Sequence, residues 1–190
     1  MTRWFFALLT RLGATPNRLT LLGLGLVLVS CAAYLLHRDS LWLGVSLAIS
    51  VSFDALDGAL ARAQGTVTKF GGYLDAVVDR YQEIAAFLAI AWVTGWWLVC
   101  FLAVTGATLT SYNKARLAIE MPVDNKAWPD LMERPQRVVL LVIGLVLDGL
   151  VPLPDFLGCR FLYLALCVLA LGTHATAVQR FLRARRMLVG

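Results

Sequence analysis

Apolar residues run through this chain in long blocks separated by short polar breaks. Leu19 to Leu36 forms the first block, closed by His37, Arg38, Asp39 and Ser40. Further blocks cover residues 41–63, 68–93, 96–119, 134–151 and 156–182. They are broken by Gln64 to Val67, by Thr94 and Gly95, by a polar stretch with Pro122, Asp124, Asn125, Lys126 and Pro129, and by the Pro152 to Asp155 turn. Each block is close to the roughly 20 residues that a helix needs to cross a bilayer, so the pattern predicts six transmembrane helices. Ahead of them, Trp4, Phe5, Leu8, Leu9 and Leu12 recur at helical spacing beside Arg3 and Arg11. That predicts an amphipathic helix over residues 1–14 lying in the interface. Leu28 to Cys31 loosely imitates a lipoprotein processing site, but the apolar blocks that follow favour an ordinary multispanning chain.

Composition supports the same reading. With 59% hydrophobic and 15% charged residues in 190, a soluble domain is excluded and no room is left for a second one. Residues 1–190 are expected to form one membrane-embedded domain, with 15–190 as the six-helix bundle. The net charge of +5 could point to nucleic acid, yet the basic residues lie between apolar blocks and form no stripe. With the N-terminus cytoplasmic, fifteen of the seventeen Lys and Arg residues fall at or nearer the inner side, Arg38 and Arg160 being the exceptions. The charge asymmetry therefore predicts both termini in the cytoplasm. Trp42, Trp96 and Trp97 then mark the outer interface, and Trp4 and Trp128 the inner one. Cys31, Cys100, Cys159 and Cys167 show no CxxC spacing and read as buried thiols.

Asp54, Asp57, Asp75, Asp79 and Glu83 interrupt this pattern, because they fall inside two blocks that otherwise span the membrane. A charge at such depth costs at least about 3 kcal/mol, so something must compensate it. Asp54 and Asp57 are spaced i, i+3 and Asp75 and Asp79 i, i+4, which puts each pair on one helix face. Counted from the connection between the two helices, Asp57 and Asp75 both lie about 10 Å deep. The pairs are expected to meet at one level, where hard divalent cations best neutralise oxygen-only ligands. Gly58, Ala61, Gly71 and Gly72 lie on or near the same faces and are expected to pack helix against helix, while leaving room for a ligand. Arg62 can anchor the interface or reach a phosphate. Glu83 continues the acidic face one turn deeper, and pairing with an arginine, Arg80 being the nearest in sequence, is the only role that follows for it. His37 and His174 fall elsewhere and read as structural.

Residues 54–79, DALDGALARAQGTVTKFGGYLDAVVD, fit the pattern DxxDGxxARx8GxxxDxxxD at every specified position. This resembles the CDP-alcohol phosphotransferase family of integral membrane enzymes, and the TPNRLT segment at 15–20 is similar to the start of that family's first span. The resemblance implies a catalytic six-helix membrane protein, usually a homodimer. It also implies transfer of a phosphate-linked group from a CDP-activated donor, for most members CDP-diacylglycerol, to an alcohol, with CMP leaving. Carried onto this chain, it assigns Asp54, Asp57, Asp75 and Asp79 to one or two Mg²⁺ or Mn²⁺ ions and Asp79 to the base. Asp57, Gly58, Ala61, Arg62, Gly71 and Asp75 would line the site of the CDP donor. Because a free aspartate is a poor base for an alcohol, the proton would leave late, as bonding to phosphorus acidifies the hydroxyl. The donor's tails would stay in the lipid of the cell membrane, with the site facing the cytoplasm.

SYNKAR at 111–116 and ERPQR at 133–137 add cations at facing helix ends. They set topology on composition alone, and they also resemble the phosphatidylinositol-phosphate synthase branch. That resemblance implies an acceptor pocket of Ser111, Lys114, Arg116, Arg134, Arg137 and Arg180, suited to an already phosphorylated alcohol. Inositol 1-phosphate is then the leading acceptor and glycerol 3-phosphate the next. The segment from Ala118 to Met132 and Pro135 after Arg134 depart from the branch. A membrane prenyltransferase would carry its two acidic motifs in separate halves of a longer chain, and a cation carrier explains neither Gly58 nor Arg62.

Overall fold

The computed structural model describes residues 15–122, 130–151 and 160–189, and among them there are helices and no strands. The expected interfacial helix, Trp4, Trp128, Cys159 and the 152–155 turn lie outside the described residues. Helices α1 (Pro16–His37), α2 (Ser40–Gln64) and α3 (Lys69–Thr94) make the first half. Helices α4 (Trp97–Glu120), α5 (Arg134–Leu150) and α6 (Phe161–Val189) make the second.

Local chemistry sets these ends. Thr15 caps α1 by accepting from the Arg18 amide, with Pro16 in the first turn, where its missing N–H costs nothing. Asp39 caps α2 through the Trp42 amide at 3.1 Å, and Thr68 caps α3 through the Gly71 amide at 3.0 Å. Gly65 at φ 64° ends α2 in the left-handed conformation that a side chain resists, so the chain turns directly into α3. Pro135 sits in the first turn of α5, a position that welcomes proline, so this departure from the family branch does no harm to the helix. The sixth helix starts at Phe161, later than the apolar pattern places it, and runs through the basic tail to Val189. Ala, Leu, Met and Arg are good helix formers, and no Gly or Pro interrupts the chain there.

Three helices, α1, α2 and α6, are long and apolar enough to cross a membrane. Large apolar side chains cover the outside, with Leu36 80%, Leu98 74% and Leu171 75% exposed. A water-facing surface does not carry such a coat, whereas lipid accepts it. Inside, Tyr34, Leu43, Ile90, Leu145, Leu162, Leu166 and Leu169 form the core. Glycines let helices approach closely: a Cβ on Gly106 would stand 2.2 Å from Thr173 Oγ1, and one on Gly144 2.5 Å from Ala165 Cβ. Thr110 Oγ1 donates to the Thr173 carbonyl at 3.1 Å and Asn113 Nδ2 to the Ala177 carbonyl at 3.0 Å, knitting α4 to α6.

Helix α1 packs on both α2 and α3, α2 on α5, α3 on α4, and α6 on α4 and α5. The backbones of the two acid-bearing helices, α2 and α3, stand apart from each other. Side chains of both, with Arg134 of α5, meet in the interval and make the site.

Candidate active site

Between α2 and α3 the acidic residues meet cations brought by other helices. Arg134, the first residue of α5, places Nη2 2.7 Å from Asp54 Oδ2 and 2.6 Å from Asp79 Oδ1. The same nitrogen donates to Gln82 Oε1 at 3.0 Å, and Gln82 Nε2 donates to Asp54 Oδ1 at 3.4 Å. One positively charged atom thus gathers three oxygens from two helices. Nε of the same arginine is buried without a hydrogen-bond partner among the described residues.

Asp57 is buried and accepts from the Thr20 hydroxyl of α1. Asp75 is half-buried, and its charge acts on those of Asp57 and Asp79. Helix α1 makes room here, since a Cβ on Gly23 would stand 3.2 Å from Asp54 Oδ1. Asp54 and Asp79 converge on one guanidinium, that of Arg134, where the spacing predicts a meeting of both acid pairs. Asp57 turns toward α1, and no three acids among the described residues are drawn close enough to close around one ion. The donor set still fits a hard divalent cation. It is all oxygen, it comes from two helices, and two of its members already share a single cationic partner.

The small residues behave differently from the expectation of helix packing. A Cβ on Gly58 would meet only its own helix's Arg62 side chain, at 3.4 Å, and one on Gly72 meets nothing within 4 Å. Gly71 lies against Thr68 Oγ1 and Asn17 Oδ1. Ala61 is half-buried and Arg62 exposed at the cytoplasm-proximal end expected of α2. The face carrying Gly58 is therefore not packed on a neighbouring helix.

Of the expected acceptor residues, the structure gathers Ser111, Arg134 and Arg137 around α3. Arg137 is buried and donates to Glu83 Oε1 from Nη2 at 2.8 Å and from Nε at 3.2 Å. Arg80 pairs with Glu83 Oε2 at 3.0 Å, lies 3.9 Å from Asp79, and donates to the Ser111 hydroxyl. The remaining three stand apart. Arg180 is tied to the Asp130 carboxylate and the Thr110 carbonyl. Arg116 makes an exposed i, i+4 pair with Glu120 at 2.7 Å, and Lys114 is half-buried with no ion-pair partner among the described residues. Thr20, Gln82 and Arg80 are the neighbours that the sequence reading did not assign to the site. Thr20 lies in the TPNRLT segment, and Arg80 follows Asp79 directly, so both carried a local signal.

A family model for CDP-alcohol phosphatidyltransferases matches residues 13–173. The chain belongs to the CDP-alcohol phosphatidyltransferase family. Over 192 residues it is 35% identical to phosphatidylinositol phosphate synthase of Corynebacterium glutamicum, covering 93% of this chain and 80% of that one. Over 138 residues it is 37% identical to archaetidylinositol phosphate synthase of Pyrococcus horikoshii, covering 72% and 71%. Its fold matches the crystal structure of Mycobacterium tuberculosis phosphatidylinositol phosphate synthase with CDP-DAG bound, at a TM-score of 0.84, 26% identity, and 97% and 93% coverage. The structure of that protein in complex with manganese and citrate matches at 0.84, with 27% identity and 97% and 88% coverage. With its apolar helices, this family member is an integral membrane enzyme.

Proposed function

We propose that this protein transfers the phosphatidyl group of CDP-diacylglycerol to inositol 1-phosphate, with release of CMP, in the manner of a phosphatidylinositol-phosphate synthase. The observation that carries this reading is the placement of Arg134 and Arg80 beside aspartates of the family motif, with Arg137 one turn further along α3 on Glu83. An uncharged alcohol gives such a cluster of guanidiniums no partner, whereas a phosphorylated one does. The identity with phosphatidylinositol phosphate and archaetidylinositol phosphate synthases across most of the chain supports the same acceptor.

In this account Asp54, Asp57, Asp75 and Asp79 hold Mg²⁺ or Mn²⁺, with two ions the proposed number, against the donor diphosphate. When bound, the ions supply charge stabilisation to the leaving CMP. Asp57, Gly58, Ala61, Arg62, Gly71 and Asp75 line the donor's nucleotide part, and the open face at Gly58 gives it space. The acceptor hydroxyl attacks the phosphorus that carries the diacylglycerol. Its oxygen bonds to phosphorus as the bond to the CMP oxygen breaks, and Asp79 takes the hydroxyl proton. Ser111, Arg134 and Arg137 face the acceptor, and Lys114, Arg116 and Arg180, which stand apart from these three, add positive charge that draws an anionic acceptor in.

Six membrane crossings, both termini in the cytoplasm, an interfacial helix over 1–14 and a homodimer in the cell membrane complete the proposal, with residues 1–190 as one catalytic domain. Purified protein with Mg²⁺, CDP-diacylglycerol and separate acceptors tests it by mass spectrometry of the lipid product. Phosphatidylinositol phosphate is the expected product. A product formed only from glycerol 3-phosphate would replace the acceptor, and no product from any phosphorylated alcohol would refute the reading.

A further inference from the structure

Glu83 is the one acid of the α2 and α3 pair that no step of the proposed reaction uses, yet it pairs with two arginines. Its two oxygens are divided between two helices. Oε2 takes Arg80 of its own helix at 3.0 Å, and Oε1 takes Arg137 of α5 at 2.8 and 3.2 Å. Arg80 in turn donates to Ser111 of α4. The Glu83 and Arg137 side chains are only 10% and 5% exposed.

Two guanidiniums on one carboxylate repel unless an anion stands between them, and Glu83 offers one negative charge to two positive ones, Arg80 lying a further 3.9 Å from Asp79. As a mere fastener the triad is a poor choice, because apolar packing would hold the helices as well. As a cradle for an anion it is apt. The planar forks of both arginines are held by the same carboxylate, and paired forks of this kind suit a phosphate. Arg134 differs, because its carboxylate partners are the proposed ion ligands. Among the described residues Arg137 pairs with Glu83 alone, and Arg80 holds Glu83 at 3.0 Å against 3.9 Å to Asp79.

We infer that Glu83 is a positioning residue that holds Arg80 and Arg137 as a fixed cation pair, next to Ser111, to receive the phosphate of the acceptor. The inference rests on the proposed use of a phosphorylated alcohol. It is tested with full-length protein in detergent by titrating inorganic phosphate calorimetrically into the unsubstituted protein, Glu83→Gln and Glu83→Asp, and by measuring KM for acceptor and donor. Glu83→Gln weakens phosphate binding by about tenfold and raises acceptor KM by a similar factor, while donor KM stays within about twofold. Glu83→Asp, which keeps the charge, recovers most of both. Phosphate binding by Glu83→Gln as tight as in the unsubstituted protein, or a parallel rise in both KM values, would overturn the role. Should Glu83→Gln not fold, Arg80→Gln serves: it must lose phosphate affinity without changing donor KM, and unchanged affinity counts against the pair. Turnover with glycerol 3-phosphate in place of inositol 1-phosphate would correct the acceptor and leave the cation pair standing. An unsubstituted protein that binds no phosphate would refute the pair while leaving transfer to an uncharged alcohol open.

Discussion

Arg134 presents a single guanidinium nitrogen to Asp54 and Asp79, and this contact sets what substitutions there should do. Replacing it by Gln leaves two largely buried carboxylates facing each other, a loss on the order of 3 kcal/mol by the usual cost of breaking a buried pair. Arg134→Gln should therefore melt earlier in EDTA, and Mn²⁺ should restore its melting temperature by more than it raises that of the unsubstituted protein. Identical responses to Mn²⁺ would contradict the view that arginine and metal share these oxygens. Asp79→Asn should lower turnover by about a thousandfold while retaining part of the donor binding, and near-normal turnover removes Asp79 as the base. Acids were legible because a carboxylate inside an apolar block is costly and demands a reason. Thr20 and Gln82 were not, since a neutral polar side chain in a membrane helix is cheap and marks nothing by itself. Glu83 was legible only in part: pairing with Arg80 follows from i, i+3 spacing, whereas Arg137 reaches it through the packing of distant helices.

At the level of elements, glycines divide into two kinds that the sequence does not distinguish. Gly106 abuts Thr173 of α6, whereas Gly58 meets only the flexible end of Arg62. Gly106→Ala should cost about 1–3 kcal/mol and lower the thermal midpoint, because Cβ and the threonine cannot share the space. Gly58→Ala should leave that midpoint almost unchanged and raise donor KM. Equal loss of stability at both positions would mean that α2 and α3 close on each other. The helices themselves were readable from apolar block length, while the caps Thr15, Asp39 and Thr68 at three of their starts come from the structure. The late start and long basic end of the sixth helix were not, because block hydropathy marks the lipid-facing part of a helix and is blind to a polar extension.

For the whole molecule, the separation of α2 and α3 matters more than any one contact. Sequence spacing places the two acid pairs at the same depth, but it cannot say whether their helices touch or stand apart with α1 and α5 behind them. The proposed six crossings also carry a prediction. A cysteine introduced at Thr66 should react with an impermeant reagent only after the cytoplasmic side is exposed, and one at Asp39 should react from outside. The reverse pattern would invert the topology. The most direct measurement of the central claim is CMP release by purified protein supplied with CDP-diacylglycerol. Release should require both Mg²⁺ and a phosphorylated alcohol, stop on addition of EDTA, and be absent in Asp75→Asn. Release that continues without divalent metal, or none with any acceptor, would contradict the account.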